Sequence, residues 1–331
     1  MIIAYRIYVK DYFMYKIENR MFVLDKPEQN LMKYCIKYTL SILKGYLYKL
    51  VLIGNRKSSP KKYSFSICSI FKNEAPFLKE FIEYHRLVGF EHFYFYNNNS
   101  EDDYLSVLKP YIDAGIVTLT EWPPVPGQQK SFEHFYANFK NETNWVSFLD
   151  LDEFICPLKE TKIREWIKPF EKYPLILMYW QMFGTSGRLD HDNKQLVTEQ
   201  YVNSWDKLYA VGKLLYNTDY DIVKYDHAFM HGFKVKCRGL VMPPINTFGY
   251  FVEHNIHRYK NEERTIQVNH YWSKAYETYK AKHARGSAVY GKSWKTFDKF
   301  VWHENFNRGC NYAIYRFMAQ LKLKMLNNYP E

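Results

Sequence analysis

Between Tyr63 and Leu149, four β-prone runs are separated by three helical segments, and this alternation constrains the fold more than any other feature of the chain. Tyr63–Phe71 (YSFSICSIF) predicts the first strand. Asn73 then offers a helix N-cap, and Pro76 is tolerated in a first turn. Phe77, Phe81, Tyr84 and Val88 recur at helical spacing, and Gly89 provides the stop. His92–Tyr96 (HFYFY) predicts a second strand, closed by the turn chemistry of Asn97-Asn98-Asn99-Ser100. A helix over Asp102–Ala114 ends at Gly115, and Ile116–Trp122 predicts the third strand. Pro123–Gly127 is a loop, Gln129–Glu142 a helix, and Trp145–Leu149 the fourth strand. The order βαβαβαβ implies a mostly parallel, doubly wound sheet with right-handed crossovers. Ligands of such sheets meet the carboxyl ends of the strands.

The remainder is less regular. Leu175–Trp180 reads as a buried strand, Phe183-Gly184-Thr185-Ser186-Gly187 as a turn, and residues 188–265 as mixed structure. Gln267–Trp272 predicts a short strand, and Ser273 caps a helix running to Arg285 before Gly286. Lys295–Leu326 reads as helical. Upstream, Asn55–Lys62 is polar, basic and punctuated by Pro60, which marks a boundary. The chain therefore divides into a helical, basic, Tyr-rich extension (1–62), a core (63–290, with halves 63–155 and 156–290) and a helical C-terminal segment (291–331).

Charge narrows the partners. The net charge is +11, which favours anionic ligands. It is spread along the chain without a like-charge block, so a nucleic-acid arm is not expected. Leu40–Ile53 is apolar but short and holds Lys44 and Lys49, so it cannot span a bilayer. The ordinary reading is an amphipathic helix packed on the domain. Peripheral contact with an anionic membrane is the second reading. The opening residues MIIAYRIYVKDYF are interrupted by Arg6, Lys10 and Asp11 and make a poor signal peptide. Cys35, Cys68, Cys156, Cys237 and Cys310 are odd in number and widely spaced, without a zinc or disulfide framework. A reduced, cytoplasmic setting is expected, peripheral to the inner face of the membrane if contact is made.

Three constellations carry chemistry. Asp150-Leu151-Asp152-Glu153 directly follows the fourth strand. Carboxylates one residue apart at a strand end point to one side of the pleat. They suit a hard divalent ion, Mn²⁺ or Mg²⁺, that shares its other positions with phosphates. His270 ends a strand, and Lys274, Lys282 and Arg285 follow on one helical face. An imidazole is a common metal ligand, and an Arg grips phosphate bidentately. On spacing alone, a core histidine and a solvated basic face explain these residues as well. Asn97–Asp103 ends the second strand where a nucleoside would sit, although a plain turn is as good an account.

Taken in order, these motifs resemble glycosyltransferase family 92, a group related to the family 2 transferases. The resemblance rests on Lys72-Asn73-Glu74-x-x-Phe77-Leu78-x-Glu80-Phe81-Ile82-x-Tyr84-His85-x-x-x-Gly89. It continues in His92-Phe93-Tyr94-x-Tyr96-Asn97-Asn98-x-Ser100-x-Asp102, Asp150-Leu151-Asp152-Glu153-Phe154 and Phe183–Gly187. It ends in His270-Tyr271-x-x-Lys274-x-x-Glu277-x-x-Lys280-x-Lys282-x-x-Arg285-Gly286. It covers roughly Tyr63–Tyr290. The resemblance implies a GT-A fold, a nucleotide-sugar donor, a metal at Asp152 and an inverting mechanism. Bacterial members of the family resemble enzymes of lipopolysaccharide or capsule assembly, and animal members extend N-glycans with galactose; the poor signal peptide favours the bacterial setting. The family commonly has Asp where this chain has Asn97, and Ser where it has Ala275.

The expectation is thus a metal-dependent hexosyltransferase. Its donor is a UDP-sugar carrying galactose or glucose, and its acceptor is a glycan or lipid-linked oligosaccharide. Asp150, Asp152 and His270 are expected to hold metal. Asn73, Asn97, Asp102, Asp150, Lys282 and Arg285 are expected to bind the donor. Inversion needs a general base, for which Asp190 and Asp192, flanking His191, are the candidates. A nucleotidyltransferase, a metal-dependent phosphohydrolase and a non-enzymatic binder of anionic polymer are the alternatives.

Overall fold

The computed structural model describes residues 21–24, 28–55, 59–224, 233–260, 263–286 and 296–326. A two-residue strand, β1 (Phe22–Val23), and a long helix, α1 (Leu31–Val51), precede the core. The core opens as the sequence predicts. It runs β2 (Tyr63–Phe71), α2 (Ala75–Val88), β3 (His92–Asn97), α3 (Tyr104–Asp113), β4 (Val117–Glu121), α4 (Gln128–Asn138) and β5 (Thr143–Phe148). β6 (Glu153–Pro157), β7 (Leu175–Met182), β8 (Asn203–Trp205) and β9 (Leu208–Asn217) follow. β10 (Asp221–Lys224), β11 (Lys234–Cys237) and β12 (Leu240–Met242) make a separate antiparallel sheet. The chain continues through β13 (Ile245–Asn246), β14 (Ile266–His270), α5 (Tyr276–Arg285), α6 (Phe297–Glu304), β15 (Asn307–Cys310) and α7 (Met318–Met325).

The main sheet has the order β4-β3-β2-β5-β9-β7-β14-β6, with β1 beside β9 and β13 beside β7. β2, β3, β4 and β5 are parallel. β9 is antiparallel to both β5 and β7, so β7 and its parallel neighbour β14 point the same way as β2–β5. β6 runs back against β14. The layout is the mostly parallel α/β arrangement that was expected. Buried strands such as β3 and β7 have both faces covered, which explains their largely apolar and aromatic runs. Gly212 is obligatory where β9 crosses β7, because a Cβ there would lie 1.9 Å from the Met178 carbonyl oxygen.

The strand order reverses between β2 and β5. With right-handed crossovers, α2 and α3 fall on one face and α4 on the other; α2 packs on α3, and α4 on β2. The crevice at this switch point is where such sheets bind ligands.

Several expectations need correction. The C-terminal segment is not continuous helix. α6 stops at Glu304, and Asn307–Cys310 pairs with Asn203–Trp205, a long-range contact invisible to local periodicity. A 3₁₀ turn (Ala313–Phe317) then leads into α7. α4 ends at Asn138, short of Glu142. α5 begins at Tyr276 rather than at Ser273, since Lys274 sits at φ 50°, outside helical space. Most consequentially, α1 does not turn its apolar residues inward: its buried residues are Ser41, Gly45 and Tyr48.

Candidate active site

Five of the segments singled out in the sequence lie at the carboxyl edge of the parallel strands. Lys72–Glu74 follows β2, Asn97–Asp102 follows β3, Asp150–Glu153 links β5 to β6, Phe183–Gly187 follows β7, and His270–Lys274 follows β14. The antiparallel pairing of β6 with β14 sets His270 opposite Glu153. The Tyr271 N–H donates to the Asp152 carbonyl (2.8 Å), which clips the two segments together.

The acidic cluster is threaded by lysines. The Asp150 carboxylate accepts from Gln128 Nε2 (2.9 Å) and from Lys213 Nζ (3.0 Å). The Lys213 ammonium also lies 3.2 Å from Glu153 Oε2, and neither side chain is exposed. Glu153 Oε2 accepts the Asp150 N–H as well (2.8 Å). Burial pushes the Glu153 carboxyl well above the usual carboxylate range, and Lys213 opposes this. Lys282 Nζ donates to Asp152 Oδ2 (2.5 Å), while Asp152 Oδ1 faces His270 Nε2 at 3.6 Å. His270 Nδ1 lies 3.9 Å from Glu153 Oε1, and the Trp180 ring packs on the imidazole at 4.5 Å between centroids. Asp150, Asp152, His270 and Lys282 are thus brought together. The side chain of Arg285 lies outside the described part of the chain.

Do these groups suit a divalent ion? Among the described residues, no group of three or more His, Cys, Asp or Glu side chains is placed to hold a metal ion. One carboxylate oxygen and one imidazole nitrogen do converge. That donor set fits an ion that completes its shell with phosphate and water, Mn²⁺ better than Mg²⁺. Glu153 Oε1 is buried without a hydrogen-bond partner and faces the far nitrogen of His270. A carboxylate behind a ligating histidine is the usual supporting arrangement. The residues fit.

The two loops beside the switch point are laced into one platform. Asn73 takes φ 52°; its N–H donates to Ser100 Oγ (2.9 Å), and its Oδ1 accepts the Glu101 N–H (2.8 Å). Asp102 Oδ2 accepts the Ala75 N–H (2.7 Å), capping α2 from a distant loop, and its Oδ1 is buried without a hydrogen-bond partner. Asn97 donates to Glu121 Oε2 (2.7 Å) and accepts the Ser100 N–H (3.0 Å). These polar side chains hold the two loops to one another and to the start of α2.

At the turn after β7, Thr185, Gly187, Arg188, Leu189, Tyr276, Phe297, Phe300 and Glu304 line a cavity of about 350 Å³. Glu304 accepts from Thr185 Oγ1 (3.0 Å) and lies 3.4 Å from Ser273 Oγ and from His303 Nδ1. Burial raises its pKa, but the bonds from His303 and Thr185 outweigh that and hold it below the ordinary value. Gly184 permits this approach, since a Cβ would come 2.8 Å from Glu304 Oε1. Asp190 is exposed nearby. Asp192 closes its own turn, its Oδ1 accepting the Lys194 N–H (2.9 Å). His191 packs on Phe77 and is pushed down to about 4 by burial, with Lys274 adding to the effect.

Sequence reasoning passed over Lys213, Gln128 and Glu304. Lys213 had a signal, a lone charge inside the apolar run Leu208–Asn217. Glu304 had none, lying in a stretch without a motif.

Comparison with known proteins bears on this site. A family model described as glycosyltransferase family 92 matches residues 61–309. A glycosyltransferase family 92 protein of Ricinus communis is 30% identical over 241 residues, covering 71% of this chain and 40% of its own length. One from Arabidopsis thaliana is 24% identical, covering 76% of this chain and 41% of its own. A galactan beta-1,4-galactosyltransferase of the same plant is 31% identical over 137 residues, 36% of this chain and 26% of its own. This chain therefore spans about two fifths of the length of the first two relatives. Among solved structures, S. aureus TarS 1-349 aligns with TM-score 0.33 and 17% identity over 47% of each chain. On the family match and these relatives, the chain belongs to glycosyltransferase family 92.

Proposed function

We propose that this chain transfers a hexose, galactose or glucose, from a UDP-sugar to a glycan hydroxyl, with inversion and with a divalent ion, Mn²⁺ or Mg²⁺. The observation that carries the reading is the convergence of Asp152, His270 and Lys282 beside the switch point of the sheet. Asp152 and His270 would hold the ion, with Glu153 orienting the imidazole. When bound, the ion supplies Lewis-acid stabilisation of the charge that grows on the departing diphosphate. Lys282, now on Asp152, is placed to turn to the diphosphate, with Arg285 one helical turn on. Asp150, held by Lys213 and Gln128, fixes the rim of the site, and Asn73, Asn97 and Asp102 support the nucleoside.

The cavity beside Thr185 suits the acceptor. Its aromatic rings offer faces for a sugar ring. Glu304 is a base with a depressed pKa, ionised at neutral pH and lying on the acceptor side; Asp190 and Asp192 are kept as rivals. The relation to a galactan galactosyltransferase favours galactose as the sugar. The acceptor is a glycan or lipid-linked oligosaccharide, and assembly of a bacterial lipopolysaccharide or capsule is the setting proposed on the motif resemblance. The relatives from Ricinus communis and Arabidopsis thaliana are plant proteins.

A thermal-shift screen of UDP-, GDP-, CMP- and TDP-sugars with and without Mn²⁺ tests the reading. Stabilisation by a UDP-hexose only with metal is expected. Release of pyrophosphate from a sugar phosphate and a nucleoside triphosphate would instead identify a nucleotidyltransferase.

A further inference from the structure

α1 faces the wrong way for a helix whose task is to cover a core. Its packed side is narrow. Tyr48 donates to Glu253 Oε1 (2.5 Å) and rests edge-on to Phe251, while Arg238 takes the carbonyls of Val51, Ile53 and Gly54 at its end. On the opposite side Met32, Ile36, Leu43, Leu47 and Leu50 follow at helical steps and form one stripe. These five residues are between 48% and 71% exposed, and Leu40 and Tyr46 widen the stripe. Among the described residues, none packs over it. A continuous apolar face of this length is not the scatter of single exposed residues that soluble surfaces carry.

The charges beside the stripe select what covers it. Lys33, Lys37 and Lys44 lie along one flank and Lys49 on the other, and Leu31–Val51 contains no acidic residue. Glu28 meets Lys37, and Glu253, shared with Lys234 and His254, lies 3.7 Å from Lys44; Lys33 and Lys49 are exposed. Pairing of two copies through the stripe would set basic flank against basic flank. An anionic lipid surface accepts both features: the stripe enters the acyl boundary, and the lysines extend to the phosphates. No helix among the described residues is long and apolar enough to cross a membrane, so α1 lies along the surface.

We propose that α1 docks this protein on an anionic membrane surface, with the Met32–Leu50 stripe inserted and Lys33, Lys44 and Lys49 at the headgroups. The test is co-sedimentation of the full chain with phosphatidylcholine vesicles, with and without phosphatidylglycerol. Binding to the anionic vesicles at least about tenfold tighter than to neutral ones, weakened by salt, is expected. The double variant Leu43→Glu/Leu47→Glu should stay in the supernatant with its melting temperature unchanged, since both side chains are exposed. The triple variant Lys33→Gln/Lys44→Gln/Lys49→Gln should lose the preference for phosphatidylglycerol. A wild-type chain that stays in the supernatant with both vesicles overturns the proposal, as does equal binding to both. A dimer in light scattering that the Leu43→Glu/Leu47→Glu variant splits would assign the stripe to a second copy instead.

Discussion

Lys213 Nζ lies 3.2 Å from Glu153 Oε2 in a position where neither side chain touches solvent. The same ammonium is 3.0 Å from Asp150 Oδ2. One buried cation thus holds two members of the acidic cluster. Removing one partner of a buried pair strands the others, which typically costs about 3–5 kcal/mol. Lys213→Met should therefore lower stability by about that amount in urea denaturation. It should also release Asp150 from the rim and weaken donor binding. Unchanged stability would mean that the pair adds nothing to the fold.

Asp152→Asn separates the metal reading from a structural one. Asn keeps the size of Asp152 and its reach to Lys282 and His270, so the fold should survive with a lowered melting temperature. Transfer should drop on the order of 10²–10³-fold, the usual loss for one contact to developing charge. Binding of Mn²⁺, followed by electron paramagnetic resonance without any donor, should fall with it. A variant that loses turnover yet binds Mn²⁺ as well as the wild type would remove Asp152 from the metal site.

The first half of the core was legible because each strand and helix there carries its own local pattern. β2 to β5 follow from apolar runs, helical spacing at Phe77–Val88 and stops at Gly89 and Gly115. The acidic cluster was legible as a strand-end motif. The rest depends on contacts distant in sequence. Lys213 reaches Asp150 across 63 residues and Glu304 reaches Thr185 across 119, and no local period encodes either. The outward face of α1 was hidden for another reason: an apolar stripe reads the same whether it meets a core or faces away from one.

Asn97 is fixed by its neighbour on the next strand, and an Asp in its place would lose that bond. Its Nδ2 donates to Glu121 Oε2 at 2.7 Å. Asn97→Asp would set two carboxylates at that distance. The expected cost is about 1 kcal/mol, discounted because Glu121 is exposed. Donor affinity should fall rather than rise. Adding Glu121→Gln should restore both, and a double variant no better than the single would show that Asn97 acts elsewhere.

Acid should destabilise the protein through its buried histidines. His85 is fully buried, with Nδ1–H donating to the Phe81 carbonyl (2.8 Å) and Nε2 accepting the Ile155 N–H (3.2 Å). Burial pushes it down from 6.5 to about 3, and His257 is pushed to about 4. These groups stay neutral when folded but charge when unfolded below about pH 6.5, so the unfolded chain binds more protons there. Stability should be full above that pH and fall steadily toward pH 4. His85→Gln should make the slope of stability against pH shallower by about one proton over that window. An unchanged slope would mean that His85 is protonated in the fold.

Glu304 decides the identity of the base. It lines the cavity beside Thr185, receives the Thr185 hydroxyl (3.0 Å) and is held below the ordinary carboxylate pKa once the His303 and Thr185 bonds outweigh burial. A general base contributes about 10²–10⁴-fold. Glu304→Gln keeps the shape and the hydrogen-bond reach, so donor affinity and melting temperature should hold while kcat falls within that range. Asp190→Asn should leave kcat nearly unchanged, since that side chain is exposed. Asp192→Asn should act on stability, through the turn at Lys194. The wild-type rate should stay flat down to the acid limb where Glu304 protonates. If Glu304→Gln keeps its rate while Asp190→Asn or Asp192→Asn loses it, the base lies on the loop after β7, and Glu304 only secures Thr185.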